Sequence, residues 1–244
     1  MSVFFHQYFD LKIINDNFSY VLQGFGQTIL LSVVSATLAL LWGLVLALLR
    51  QSPGRAMMPV RGLVIAYIDM LRGIPLLLII LLISGSLPFL TFLPEAVRAP
   101  SFFGKPDIFW YGVVSITLTY GAYYAEVYRA GLEAVPYGQM EAARSLGMSH
   151  SRAMRHVIVP QAIRKVIPPM LNDFIALMKD TSLVSVIAFV EVVKAGREVQ
   201  ATTFNSSALT LGAAMFVVVT IPLARMVDRL IARQQLAYRR TAAP

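Results

Sequence analysis

FGQTILLSVVSATLALLWGLVLALL, residues 25–49, is 25 residues without an ionisable side chain, closed by Arg50. As an α-helix rising 1.5 Å per residue it would extend roughly 37 Å, enough to cross a bilayer core with some tilt. The rest of the chain obeys the same physics. Of 244 residues, 57% are apolar and only 14% charged, with a mean hydropathy of +0.66. A soluble domain carries about 25% charged residues. Here the apolar residues come in runs rather than periodic faces, so the expected fold is an all-α integral membrane protein in a single domain, residues 1–244.

Working outward, five transmembrane helices are expected, at about 25–49, 64–85, 108–128, 166–190 and 208–224. The second contains Asp69, Arg72 and Gly73-Ile74-Pro75 near its start, and the fourth is interrupted by Asp173, Lys179 and Asp180. Residues 1–23 are polar and aromatic and do not read as a cleaved signal peptide. Phe5, Phe9 and Ile13 recur every four residues there, so a helix lying in the membrane interface is expected.

Lys and Arg fix the orientation. The 50–61 loop holds three, the 126–165 segment six and the tail from Arg225 five. The alternate segments hold one, two and two, with Arg72 and Lys179 inside or at the edges of spans. By the positive-inside rule the N-terminus is expected outside and the C-terminus in the cytoplasm. The net charge of +8 and pI near 9.9 thus reflect membrane topology. No aromatic–basic interleaving supports a nucleic-acid partner. Arg225, Arg229 and Arg233 form a basic stripe suited to anionic lipid headgroups. Cysteine is absent, and His6, His150 and His156 lack helical zinc spacing, so no metal site is expected.

Between the third and fourth spans lies a polar segment, EAARSLGMSHSRAMRHVIVP, Glu141–Pro160. It reads as two short helices around a turn within a loop of about 134–160. Gly147 falls where a left-handed C-terminal cap belongs, Ser149 can cap the second helix, and Pro160 is expected to stop it. The small Ala142 and Ala143 allow a partner's backbone to approach, while Glu141 and Arg144 can orient that contact.

EAA followed by Gly147 and Pro160 resembles the cytoplasmic loop signature of bacterial ABC importer permeases. The resemblance extends over LRGIPLL, AYYAEVYRAGLEAVPYGQMEAARSLG and PQAIRKVIPPMLNDFIALMKDTSLVSVI, in the manner of the polar amino-acid uptake branch. Residues 1–20, about 86–107 and the tail lie outside it. The resemblance implies a type I ABC importer transmembrane architecture in the bacterial inner membrane, with Glu141, Ala142, Ala143, Arg144 and Gly147 on a coupling helix. That helix would dock into the ATP-hydrolysing subunit. The chain has no GxxxxGK[ST], so ATP and magnesium belong to a separate ATPase, expected in two copies. An external substrate-binding protein and an identical or paralogous permease complete the implied partners.

A charge inside a span costs on the order of 2.5–3.5 kcal/mol on insertion scales, so each needs a reason. Asp69 with Arg72 and Glu126 with Arg129 are three apart and can form local pairs. Asp173 and Asp180, seven apart, share one helix face, with Glu191 on nearly the same line. Such an acidic stripe should face a pathway or another subunit. Lys179, off the stripe, is free to pair with a neighbouring helix. Asp173, its neighbour Asn172 and Asp180 are the candidates for touching substrate, although the resemblance also allows Lys179–Leu183 a purely architectural role. The expected protein is thus a non-enzymatic permease subunit. The alternative is a self-sufficient channel or ion-coupled carrier using the acidic stripe.

Overall fold

The computed structural model describes the backbone of residues 2–241 and the side chains of residues 3–233. Among these residues all regular structure is helical. Helix α1 (Ser2–Phe9) is followed by α2 (Leu11–Arg50), 40 residues long. Asp10 separates them because its carboxylate accepts the backbone N–H groups of Lys12 and Ile13, 2.9 and 3.3 Å away, an N-cap that restarts the helix. The separate N-terminal helix is therefore shorter than the expected segment 1–23. Residues 11–23 continue unbroken into the first apolar stretch.

One face of α2 buries small residues (Gly24, Thr28, Ser32, Ser35, Ala36, Ala39, Gly43); Gly24 and Thr28 meet residues 191–195, and α6 (Asp107–Glu133) packs closely on α2 further along, at Gly43. Small residues let two helix backbones approach closely in lipid, where dispersion rather than water exclusion drives packing. Leu31, Phe109, Ile116, Tyr124, Leu177 and Val184 fill the core that results.

Residues 64–85 do not form one straight span. They divide into α3 (Met58–Gly73) and α4 (Leu76–Ser86), and the chain bends by 108° between the two helical stretches. Pro75 pushes Ile74 into an extended conformation (φ −95°, ψ 131°) and has no N–H for the ladder, so the helix must end and restart. After a loop containing the short α5 (Glu95–Arg98), α6 leads to α7 (Tyr137–Ser145) and α8 (His150–Ala153).

The second helix of the polar segment does not stop at Pro160. It passes through a π-helical turn, Met154–Ile158, into α9 (Val159–Asp180). Pro160 lies in the first turn of α9, where a missing N–H is tolerated, and the wide turn before it absorbs the ring. At its far end α9 is shorter than expected. Thr181 and Ser182 donate to the carbonyls of Met178 and Lys179, each at 2.7 Å, and the chain tightens into a 3-10 stretch, Thr181–Ile187. Ala188, in the left-handed region, then turns it towards α10 (Val192–Thr203). Last comes α11 (Ser207–Thr241), which contains Pro222.

Two helical stretches among the described residues, Val3–Arg50 and Ser207–Arg233, are long and apolar enough to cross a membrane. The bent pair makes a third when counted as one span.

Candidate functional site

The polar segment folds into a rigid projection. Gly147 adopts φ +78°, its N–H donates to the Arg144 carbonyl (3.0 Å), and the Met148 N–H reaches back to Ala143 (3.1 Å). Those two bonds define a Schellman cap, which satisfies the carbonyls at the end of α7 and needs a residue tolerant of positive φ. Ser149 caps α8 through Arg152 N–H.

Glu141, Ala142 and Arg144 are exposed, as are Tyr137 (77%) and Leu146 (84%). Ala143 is not presented outward. It is buried, one turn on from Met140, whose side chain packs with Val135, Ile158 and Ala162. Gln161 donates to the Gln139 side chain at 3.2 Å, so α7 rests directly on the start of α9.

On α6, Glu126 is held between two cations. Arg129 lies 2.8 Å from it and 2.5 Å from Glu133, and Arg50 at the end of α2 donates to its other oxygen. The Glu126 side chain is only 15% exposed. Removing one partner of a buried network leaves charge uncompensated, at a cost of up to about 3–5 kcal/mol at full burial. Glu126→Gln is expected to lower the melting temperature in detergent by several degrees, at roughly 2–4 °C per kcal/mol for a chain this size. Thermal unfolding checks this, and an unchanged transition would show the network to be inert.

At the opposite end of α9 lies a cavity of about 500 Å³. The α3–α4 break forms one wall and carries Arg72. Tyr120 and Tyr123 of α6 form a second, and Asp173 and Asp180 of α9 a third. Tyr120 donates its hydroxyl hydrogen to Asp180 at 2.8 Å.

The structure brings Asp173 and Asp180 together in this space, while Asn172 is exposed nearby in the chain. Glu191 leaves the stripe because α9 has ended. It is fully buried as the N-cap of α10, accepting from Val193 and Lys194 N–H at 2.8 Å each. Arg72 does not pair with Asp69. The helix break carries it to the Tyr123 ring, 5.6 Å from the centroid, and into the cavity. Among the described residues neither Asp69 nor Lys179 makes an ion pair.

Sequence reasoning missed Tyr120 and Tyr123. Polar aromatics within an apolar span were the signal available for them.

Known proteins resemble this chain in sequence and fold. The chain is 36% identical over 230 residues to the probable glutamine ABC transporter permease protein GlnM of Bacillus subtilis, covering 94% of this chain and all of that one. It is 34% identical over 184 residues to the glutamate/aspartate import permease protein GltK of Escherichia coli, covering 75% and 79% respectively. The crystal structure of an amino acid ABC transporter with histidines superposes with a TM-score of 0.78 at 32% identity, over 90% of this chain and 96% of that one. The methionine ABC transporter MetNI in inward-facing form shares the fold at 15% identity, TM-score 0.67, over 88% of this chain and 96% of that one. Residues 39–235 match the family described as the binding-protein-dependent transport system inner membrane component, and the chain belongs to that family, in its amino-acid ABC permease branch.

Proposed function

We propose that this chain is the transmembrane subunit of an ATP-driven, binding-protein-dependent importer of polar amino acids or related compounds. The single observation carrying the reading is α9. This 22-residue helix, continuous although it contains Pro168 and Pro169, starts against the exposed α7 and ends at Asp180 in the charged cavity, so one element connects the proposed docking surface to the proposed solute site.

In this reading the spans are α2, the bent α3–α4 pair, α6, α9 and α11, with the N-terminus outside and the C-terminus in the cytoplasm. Two permease subunits, identical or paralogous, form the pathway. Two ATPase subunits, holding ATP and magnesium, grip the α7 projection through Glu141, Ala142, Arg144 and Gly147, with Ala143 supporting it from within. An extracytoplasmic binding protein delivers the solute.

The cavity presents a cation, Arg72, opposite two carboxylates, Asp173 and Asp180. A free amino acid offers the complementary pair, a carboxylate and an ammonium. A volume of about 500 Å³ suits a small solute. Hydrogen bonds to charged groups contribute roughly 1.5–3 kcal/mol, so Asp173→Asn or Arg72→Ala should lower uptake about ten- to hundredfold. Stimulation of the ATPase by loaded binding protein should persist.

The assay is uptake of labelled amino acids into vesicles holding permease, ATPase and binding protein. Uptake by the permease alone, without ATPase, would instead support a self-sufficient carrier.

A further inference from the structure

Helix α1 is fastened to the rest of the molecule through its backbone and the Gln7 side chain, while His6, its side chain 78% exposed beside Asp10, and the apolar side chains face outward. The Gln7 side chain donates to the Phe204 carbonyl (3.0 Å), the Gln7 carbonyl accepts from Ser206 N–H (2.9 Å), and the His6 carbonyl accepts from Asn205 (2.8 Å). Asp10 N–H donates to the Ser207 hydroxyl at 2.8 Å. Its apolar groups turn outward: Val3, Phe4, Phe5 and Phe9 are 81%, 58%, 56% and 48% exposed. Water gives no reward for that arrangement.

Phe204 belongs to the same surface. As the C-cap of α10 it adopts φ 54°, a conformation that glycine or asparagine takes far more readily, and its side chain is 85% exposed. Four hydrogen bonds between residues 6–10 and 204–207 make α1 and this turn one body. From it exposed apolar side chains follow one line down α2 through Leu11, Phe18 and Leu22 to Val33, with exposed Asn15 among them, into a stretch long and apolar enough to cross a membrane. The aromatic surface therefore continues the lateral, lipid-facing flank of the molecule. Aromatic side chains concentrate where acyl chains meet headgroups.

We propose that the aromatic face of α1 and Phe204 together form one seat in the headgroup–acyl boundary of the bilayer, tying the turn between α10 and α11 to the lipid surface. The seat rests on the membrane placement of the chain and not on what the cavity carries. It assigns a bilayer contact to an extramembrane helix, α10, through a single side chain.

The test exploits the absence of cysteine. Phe5→Cys and Phe204→Cys, each carrying a nitroxide, are placed in vesicles of phosphatidylethanolamine and phosphatidylglycerol. Leu22→Cys serves as the lipid reference and Leu146→Cys as the aqueous one. Relaxation by oxygen and by a water-soluble nickel chelate is then compared. Both seat labels are expected to lose nickel accessibility relative to Leu146→Cys and to gain oxygen accessibility towards that of Leu22→Cys. Water-like behaviour at both sites overturns the proposal. So does a split between them, or protection that arises only when a binding protein is added. Should Phe204→Cys fail to insert, quenching of Phe204→Trp by brominated lipid, in a chain whose Trp42 and Trp110 are replaced by Phe, reads the same position, and unquenched emission overturns it.

Discussion

Gly147→Val is expected to abolish ATP-driven uptake while the chain still inserts into the membrane. The glycine sits at φ +78°, and a Cβ added there would meet nothing within 4 Å. Steric crowding is therefore not the cause of the loss. A β-branched residue in the left-handed region costs about 1–2 kcal/mol, and relief comes most easily by unwinding the cap. That frees the carbonyls of Ala143 and Arg144 and swings Leu146, one of the most exposed apolar side chains of α7's end.

Gly147→Asn, which tolerates positive φ, should keep most of the uptake. Glu141→Arg supplies the complementary result. Arginine is as good a helix former as glutamate, so α7 persists while the charge offered to the partner reverses. Transport and co-purification of the ATPase should both be lost. Survival of ATP-coupled uptake in both Gly147→Val and Glu141→Arg would sink the docking assignment.

The second large effect lies within the bundle. A Cβ on Gly43 would stand 2.8 Å from the Gly121 carbonyl oxygen, 2.8 Å from Tyr124 Cβ and 3.1 Å from the Ala125 nitrogen. Two of these are backbone atoms, which cannot turn aside as a side chain tip can. Gly43→Leu must therefore part α2 from α6, the most extensive helix pair of the fold. Overpacking in a tight core costs about 1–3 kcal/mol and more when backbone must move. Here the separation would spread along both helices. Gly43→Leu should yield aggregated protein in detergent, and Gly43→Ala a folded protein of clearly lower melting temperature. Gly26→Ala on the same helix, with nothing within 4 Å, provides the neutral comparison. A monodisperse, wild-type-like Gly43→Leu would show that the two helices are not held so close.

Much of this was legible in the sequence. The unbroken run 25–49, the glycine after Ser145-Leu146 and the pairing of Glu126 with Arg129 depend on local periodicity, and local rules carried them. Positions controlled by a break in the chain were less so. Residues 64–85 read as one span despite Pro75, and nothing local showed that the helix would break there and leave Arg72 beside Tyr123. Thr181 and Ser182 are residues whose hydroxyls can bond back and bend a helix, and they do so, but the local pattern did not show that α9 ends there and leaves Glu191 on another element. Ala143 looked the same as Ala142 in sequence; only the face that α7 turns to Met154–Ile158 distinguishes them. The acids of the cavity could be picked out as oddities in an apolar span. Their aromatic and cationic neighbours came from positions 50 to 108 residues away, beyond the reach of any spacing rule.

At 40 residues, α2 is roughly 60 Å long, against about 40–45 Å for a bilayer including its headgroups. It is fastened near one end by Tyr20 to Glu198 and at the other by Arg50 to Glu126. A stiff strut fixed at both ends cannot shorten. It can only lean, and the lean that fits a thin membrane differs from the lean that fits a thick one. Acyl-chain length thus becomes a setting on the geometry of the whole bundle, one that a lipid composition could turn without any ligand binding at all.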